Sequence, residues 1–161
     1  MDVNQLRELI ARVLRYLDPE IPYSEDAVEL LLMTAAHESR LGTYLKQLRG
    51  PARGIFQMEP QTEAGLLEAL SARAPSLRAK IAALNLPLDG QDGTTSDQDM
   101  LHNLAYQVAM ARAHYYLKPG RIPHGRREMA EYAKRWWNTR AGKASANDYL
   151  AAYRDLVERR I

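Results

Sequence analysis

The sequence contains no cysteine and only one phenylalanine among its 161 residues. Without cysteine, the chain has no disulfide framework, no thiol nucleophile and no cysteine-ligated zinc site. Long apolar runs are missing too, since no stretch approaches the roughly 18 apolar residues that a membrane-spanning helix needs. The N-terminal segment carries acids and arginines among its apolar positions, unlike a secretory signal peptide. We therefore expect synthesis in the cytoplasm, with export or release by another route if the substrate lies outside the membrane.

The remaining composition is that of an ordinary globular protein, with 46% apolar and 26% charged residues. The length suits one domain with a sizeable core. No repeat, low-complexity tract or long linker divides the chain. The sequence therefore predicts a single domain over residues 1–161.

The charge is unevenly distributed along the chain. Residues 1–111 hold 10 Lys/Arg and 15 Asp/Glu, whereas residues 112–161 hold 12 Lys/Arg and 5 Asp/Glu. A basic C-terminal third suits a polyanionic partner, such as an anionic outer-membrane or cell-wall polymer or a nucleic acid. The alternative is a set of solvated helix faces with no partner.

Helical periodicity dominates the sequence, and the alternation typical of strands is almost absent. The pattern predicts an all-α fold of about seven helices around a buried central helix, with little or no β structure. Any β structure is expected within residues 43–58, and a loop is expected within 85–95. The helices are expected at 4–17, 25–41, 60–73, 75–84, 96–117, 126–137 and 145–159.

Short polar residues and glycines mark where the predicted helices begin and end. Ser24 is a good N-cap for the second helix, which Gly42 can close. Capping boxes are predicted at Ser96 with Asp99 and at Ser145 with Asp148.

Glu38 lies near the C-terminal end of the second helix, which is apolar almost all the way round. Partial burial and the negative end of the helix dipole both raise the pKa of such a carboxyl. A general acid that works near neutral pH needs that environment. The alternative is a structural ion pair with Arg40, Arg49 or Arg53.

Two segments near Glu38 resemble the superfamily of soluble lytic transglycosylases and goose-type lysozymes. They are HESRLG (37–42) and GPARGIFQMEPQT (50–62). In that superfamily, a Glu-Ser pair at the end of a buried helix precedes a Gly-apolar-apolar-Gln-Met segment that lines the sugar cleft. Glu38-Ser39 matches the first element, and residues 54–58 match the second. The segment EYAKRWWNTRAGKAS resembles small phage endolysins in particular, with Trp137-Asn138 where the superfamily has a Tyr-Asn pair.

The resemblance implies a helical lysozyme-like domain that cuts the MurNAc-GlcNAc β-1,4 bond of peptidoglycan, with Glu38 as general acid/base. The flat aromatic faces and amide groups of the chain also suit sugar rings, although most of these aromatics can equally be core. Trp136, Tyr115 and Tyr116 are further aromatics of this kind. The expected substrate-binding residues are Ser39, Gln57, Met58, Glu59, Tyr132, Trp137 and Asn138.

The number of catalytic carboxylates is left open by the sequence. Hydrolytic glycosidases usually pair an acid with a second carboxylate, for which Glu59 and Glu63 are the nearest candidates. The superfamily's transglycosylases, by resemblance, work with one glutamate, and a lone Glu38 suits that chemistry. It also suits a hydrolase in which Gln57 or Glu59 positions water.

We expect no cofactor and no metal, since His37-Glu38 opens like the zinc motif HExxH but position 41 is leucine. The leading hypothesis is a monomeric endolysin that is released through a holin and acts in the periplasm on peptidoglycan glycan strands, with no nucleic-acid partner. The rival hypotheses are a helical nucleic-acid-binding or adaptor protein that uses the basic C-terminal third, and a relative that binds glycan without cutting it.

Overall fold

The computed structural model describes residues 1–85, 99–138 and 143–160. Within these ranges the chain forms eight α-helices, one short π-helix and one short 3-10 helix. The α-helices are α1 (Val3–Leu17), α2 (Glu25–Ser39), α3 (Pro60–Arg73), α4 (Pro75–Ala82), α5 (Asp99–His102), α6 (Leu104–Tyr116), α7 (Arg126–Ala133) and α8 (Ala146–Leu156).

The expected all-α class is confirmed, since the described residues contain no strand. The β pairing they do contain consists of two isolated bridges, between Lys46 and Arg53 and between Arg53 and Met58. Both bridges lie within residues 43–58, where the sequence allowed β structure. In the described part of the chain, no helix is long and apolar enough to cross a membrane.

The central helix α2 is buried on nearly every side, as its apolar sequence predicts. Ser24 caps it as expected, its side chain accepting a hydrogen bond from the backbone N–H of Ala27. The helix predicted to end at Leu41, before Gly42, ends two residues earlier at Ser39, because Arg40 and Leu41 already adopt left-handed backbone angles (φ 52° and 57°). Leu41 is buried, so its burial offsets the strain of that conformation.

The helix predicted over 96–117 is interrupted at Asn103, which separates α5 from α6. The Asn103 side chain accepts a hydrogen bond from the backbone N–H of Tyr106 and acts as the N-cap of α6. Asparagine competes with the helix in this way because its short amide reaches nearby backbone groups. The proposed capping box at Ser96 lies outside the described residues.

The helix predicted over 126–137 begins as expected, but its α-helical part ends at Ala133. The chain then continues as a π-helix over Lys134–Asn138. A π-helix changes the direction in which the following side chains point, and such turns are frequent at functional sites. Trp137 and Asn138 belong to this turn.

The last helix α8 carries the predicted capping box, with Ser145 and Asp148 bonding each other's backbone N–H groups. It packs against α2 and α7, and α1 packs against α2 and α6 on another side. The buried face of α8 includes two tyrosines, Tyr149 and Tyr153. This packing brings the C-terminal part of the chain onto the helix that carries Glu38.

Candidate active site

Ser39 joins the end of α2 to the glycine-containing segment that follows it. Its hydroxyl donates to the backbone carbonyl of Ile55 (2.6 Å) and accepts from the backbone N–H of Gly42 (2.8 Å). The side chain is fully buried. Ser39 therefore holds two parts of the site together, and the structure does not place it where it would contact a substrate.

Residues 53–58 form a tight turn closed by a pair of backbone hydrogen bonds, each 2.9 Å, between Arg53 and Met58. Gly54 within this turn has φ 76°, and a Cβ atom there would lie 2.7 Å from the carbonyl oxygen of Met100. Only glycine fits both the backbone angle and this close approach. Gly54, the glycine of the Gly-apolar-apolar-Gln-Met motif, is thus required by packing against α5.

A buried glutamine of α6 also holds the 53–58 turn in place. Gln107 accepts a hydrogen bond from the backbone N–H of Ile55 (2.9 Å). Gln57 also has a positive φ of 49°, and its side-chain amide donates to the carbonyl of Gly54 (2.7 Å). A non-glycine residue with a positive φ is uncommon, and this conformation costs free energy. Strained residues of this kind cluster at functional sites.

The 53–58 turn and the π-helix form the walls of a cleft of about 500 Å³, and Glu38 is one of the residues that line it. The structure thus gathers six of the residues that the sequence singled out: Glu38, Gln57, Met58, Glu59, Trp137 and Asn138. The other residues that line the cleft are Gln47, Ala52, Thr62 and His114.

The Glu38 carboxyl accepts a hydrogen bond from the phenol of Tyr149, with 2.6 Å between the two oxygens. Among the described residues it forms no ion pair, so the alternative of a structural salt bridge to an arginine is not realised. Burial raises the pKa of Glu38 to about 7, and the bond from Tyr149 acts in the opposite direction. The carboxyl can therefore both hold and release a proton near neutral pH.

Tyr149 was not anticipated as part of the site. It lies on α8, its ring stacks on the His37 imidazole (centroids 3.9 Å apart), and its hydroxyl also interacts with the side chain of Asn138. Burial and the neighbouring Glu38 raise its pKa far above the ordinary value. The phenol therefore stays neutral and acts as a hydrogen-bond donor.

Trp137 and Asn138 are fixed by the elements around them. The indole N–H of Trp137 donates to the carbonyl of Phe56 (3.1 Å), which attaches the π-helix to the 53–58 turn. Asn138 accepts a hydrogen bond from the ammonium group of Lys134 (2.9 Å). Both side chains are partly exposed on the cleft, so an aromatic face and an amide lie close to Glu38.

His114 is a second cleft residue without a role assigned from the sequence. Its Nε2 lies 2.9 Å from the carbonyl oxygen of Trp136, so this nitrogen carries the proton and donates to the carbonyl. Burial lowers the pKa of His114 to about 4. The ring is therefore neutral at pH 7, and its Nδ1 atom is a hydrogen-bond acceptor.

Tyr132, expected to bind substrate, does not line the Glu38 cleft. It is buried and separated from the cleft by Tyr115, whose ring lies 5.8 Å from that of Tyr132 and 5.3 Å from that of Trp137. The π-helix explains this difference, because it turns Trp137 into the cleft and leaves Tyr132 on the preceding α-helical turn, facing away.

The two candidates for a second carboxylate occupy different environments. Glu63 is buried on α3 and accepts a hydrogen bond from the phenol of Tyr106 (2.8 Å), away from the cleft. Glu59 is exposed and lines the cleft. Of the pair, Glu59 alone is placed to contact a bound substrate or water.

Comparisons of the chain with models of protein families, with curated proteins and with solved structures found no match. In the described residues, no group of three or more histidines, aspartates and glutamates is arranged to hold a metal ion.

Proposed function

We propose that this protein is a muralytic enzyme that cuts the MurNAc-GlcNAc β-1,4 bond in the glycan strands of bacterial peptidoglycan, with Glu38 as its acid/base. The observation that carries the proposal is the Glu38 carboxyl itself. It is partly buried, its pKa is raised to about 7, and it opens into a cleft lined by Gln57, Trp137 and Asn138. That combination supplies a proton donor beside an aromatic face and amides that suit amino sugars.

The reaction begins with the protonated form of Glu38. The carboxyl gives its proton to the glycosidic oxygen, and the bond between that oxygen and the anomeric carbon breaks. The resulting carboxylate then accepts a proton from the hydroxyl that attacks the anomeric carbon, which regenerates the acid. Burial aids the first step because a carboxyl that resists ionisation keeps its proton until the leaving oxygen takes it.

The attacking hydroxyl decides the reaction type. If it is the 6-hydroxyl of the muramyl residue, the product carries an anhydro ring; if it is water, the product has a reducing end. A single carboxyl suffices for the first route, whereas hydrolysis usually employs a second carboxylate. Because Glu59 is exposed and Glu63 is buried away from the cleft, we favour the transglycosylase route.

The test is to incubate the chain with purified sacculi and analyse the released muropeptides by mass spectrometry. We expect soluble fragments that end in anhydro-muramyl residues. Reducing ends would show a muramidase that uses the same cleft. Intact sacculi after prolonged incubation would overturn the proposal.

Tyr149 is expected to position Glu38 and to adjust its proton affinity. Tyr149→Phe removes the donor to Oε1 and leaves the ring in place, so we expect kcat/KM for sacculi to fall about tenfold, the worth of one hydrogen bond to a charged group. Because the bond from Tyr149 lowers the pKa of Glu38, its loss should also move the upper limb of the pH-rate profile to higher pH.

Tyr153→Phe is the matched control, since Tyr153 lies on the same face of α8 but donates to Glu29, outside the cleft. Its pH-rate profile should coincide with that of the unchanged protein. Equal shifts in both variants would mean that the hydroxyl of Tyr149 acts only through the docking of α8.

A further inference from the structure

A second pocket, of about 640 Å³, lies on the opposite side of Tyr115 from the Glu38 cleft. Its walls are the N-terminus of α2, the C-terminal part of α6 and the segment that follows α6. We call it the Arg112 pocket after its most buried cation. Its lining includes Arg112, Lys118, Arg121, Tyr116, Ile122 and Tyr132.

Arg112 lacks the partners that a buried guanidinium normally has. It is only 8% exposed, and its buried Nε atom has no hydrogen-bond partner among the described residues. In the same part of the chain, no carboxylate lies within ion-pairing distance and no aromatic ring takes it as a cation–π partner. Leaving a charged nitrogen buried and unpaired is costly, so the unpaired Nε of Arg112 makes the free energy of folding less favourable.

The surroundings of Arg112 are cationic. Lys118 and Arg121 line the same pocket, and burial lowers the pKa of Lys118 as it does that of Arg112. Asp26 is the acidic residue of the lining, and its carboxylate is engaged by the His124 imidazole at 2.6 Å. The N-terminus of α2 adds the positive end of a 15-residue helix. The three basic side chains and the helix terminus favour an anion in the pocket, and the one opposing carboxylate of the lining, Asp26, is paired with His124.

The lining also indicates which kind of anion fits. The planar guanidinium fork binds a carboxylate through two parallel hydrogen bonds. Tyr116, Ile122 and Tyr132 provide aromatic and aliphatic walls around it, and these suit a singly charged group with an apolar neighbour better than a strongly hydrated phosphate. A peptide C-terminus has that composition.

We propose that the Arg112 pocket binds the terminal carboxylate of a short peptide, held by the Arg112 guanidinium. The stem peptides carried by peptidoglycan strands are the expected source, and that assignment of the source rests on the proposed function. The pocket and the cleft lie on opposite sides of one aromatic layer, formed by Trp137, Tyr115 and Tyr132. The chain would then contact both the sugar and the peptide components of the wall.

The experiment titrates the complete chain with acetyl-D-alanyl-D-alanine, its C-terminal amide and inorganic phosphate, each followed by calorimetry and by amide chemical shifts. We expect the free acid to bind at least tenfold more tightly than the amide or phosphate. Arg112→Gln should weaken binding of the acid about 10- to 100-fold, the range for a lost charged hydrogen bond. Arg127→Gln, an exposed arginine of α7, is the control and should bind like the unchanged protein.

Equal affinity for the acid and the amide would overturn the proposal, and so would tighter binding of phosphate. These two comparisons use the unchanged protein, so they hold even if Arg112→Gln fails to fold. None of the ligands contains a glycosidic bond. Peptide binding without cleavage of sacculi would therefore defeat the proposed function alone, and cleavage without peptide binding would defeat this inference alone.

Discussion

Glu38→Gln is expected to reduce the release of soluble fragments from purified sacculi about a thousandfold, within the range for loss of a general acid. The glutamine side chain has the same shape, and its carbonyl oxygen can still accept the hydrogen bond from Tyr149. It has no proton to give to the leaving oxygen. The loss should therefore appear in kcat, with binding of the glycan strand preserved.

Glu59→Gln is the matched control, because Glu59 lines the same cleft but is exposed. If the reaction forms an anhydro product, this variant should lose less than about tenfold in rate. A loss as large as that of Glu38→Gln would assign Glu59 as a second catalytic carboxylate and favour hydrolysis. Undiminished turnover by Glu38→Gln would exclude the proposed mechanism.

Glu38→Gln is also expected to stabilise the folded protein at alkaline pH. The pKa of Glu38 is about 7 in the folded chain against a reference value of 4.5. Between these two values the folded state binds more protons than the unfolded state, so the free energy of unfolding falls as pH rises. Above pH 7 the ionised carboxylate costs the native state about 3 kcal/mol. Glutamine carries no charge and avoids that cost.

Urea unfolding at pH 4 and pH 8 measures this effect. We expect Glu38→Gln to gain about 3 kcal/mol relative to the unchanged protein at pH 8 compared with pH 4. Glu59→Gln should show no such change, because Glu59 is exposed. A stability difference for Glu38→Gln that is the same at both pH values would show that the carboxyl is ionised in the folded protein at neutral pH.

The helices could be predicted largely from local signals. Ser24 and the Ser145-Asp148 pair begin helices where their capping chemistry requires. Local signals failed where a side chain capped the backbone within an expected helix or where the backbone left the helical conformation early. Asn103 interrupts the expected long helix by capping α6, and Arg40 ends α2 early with a left-handed conformation.

The candidate site was predictable where its residues lie in motifs that resemble a known superfamily, including the distant Trp137-Asn138 pair. Glu38 and Gln57 belong to two neighbouring motifs, and the structure places both in one cleft. Tyr149 lies 111 positions beyond Glu38, and the sequence predicted only a capped helix around it. Its one signal was a tyrosine on the apolar face of α8, since a buried phenol requires a polar partner. Tyr132 was misplaced because a π-helix has no clear sequence signature.

Because Tyr149 of α8 packs directly against Glu38, the burial that raises the pKa of this carboxyl depends on the docking of α8. Terminal helices often open locally at a lower free energy than global unfolding. When α8 separates from α2, water reaches the carboxyl and its pKa returns towards the reference value of 4.5. The group is then ionised at neutral pH and has no proton to donate. Under the proposed mechanism, we therefore expect molecules with α8 detached to be inert towards the glycan even though α2 is intact.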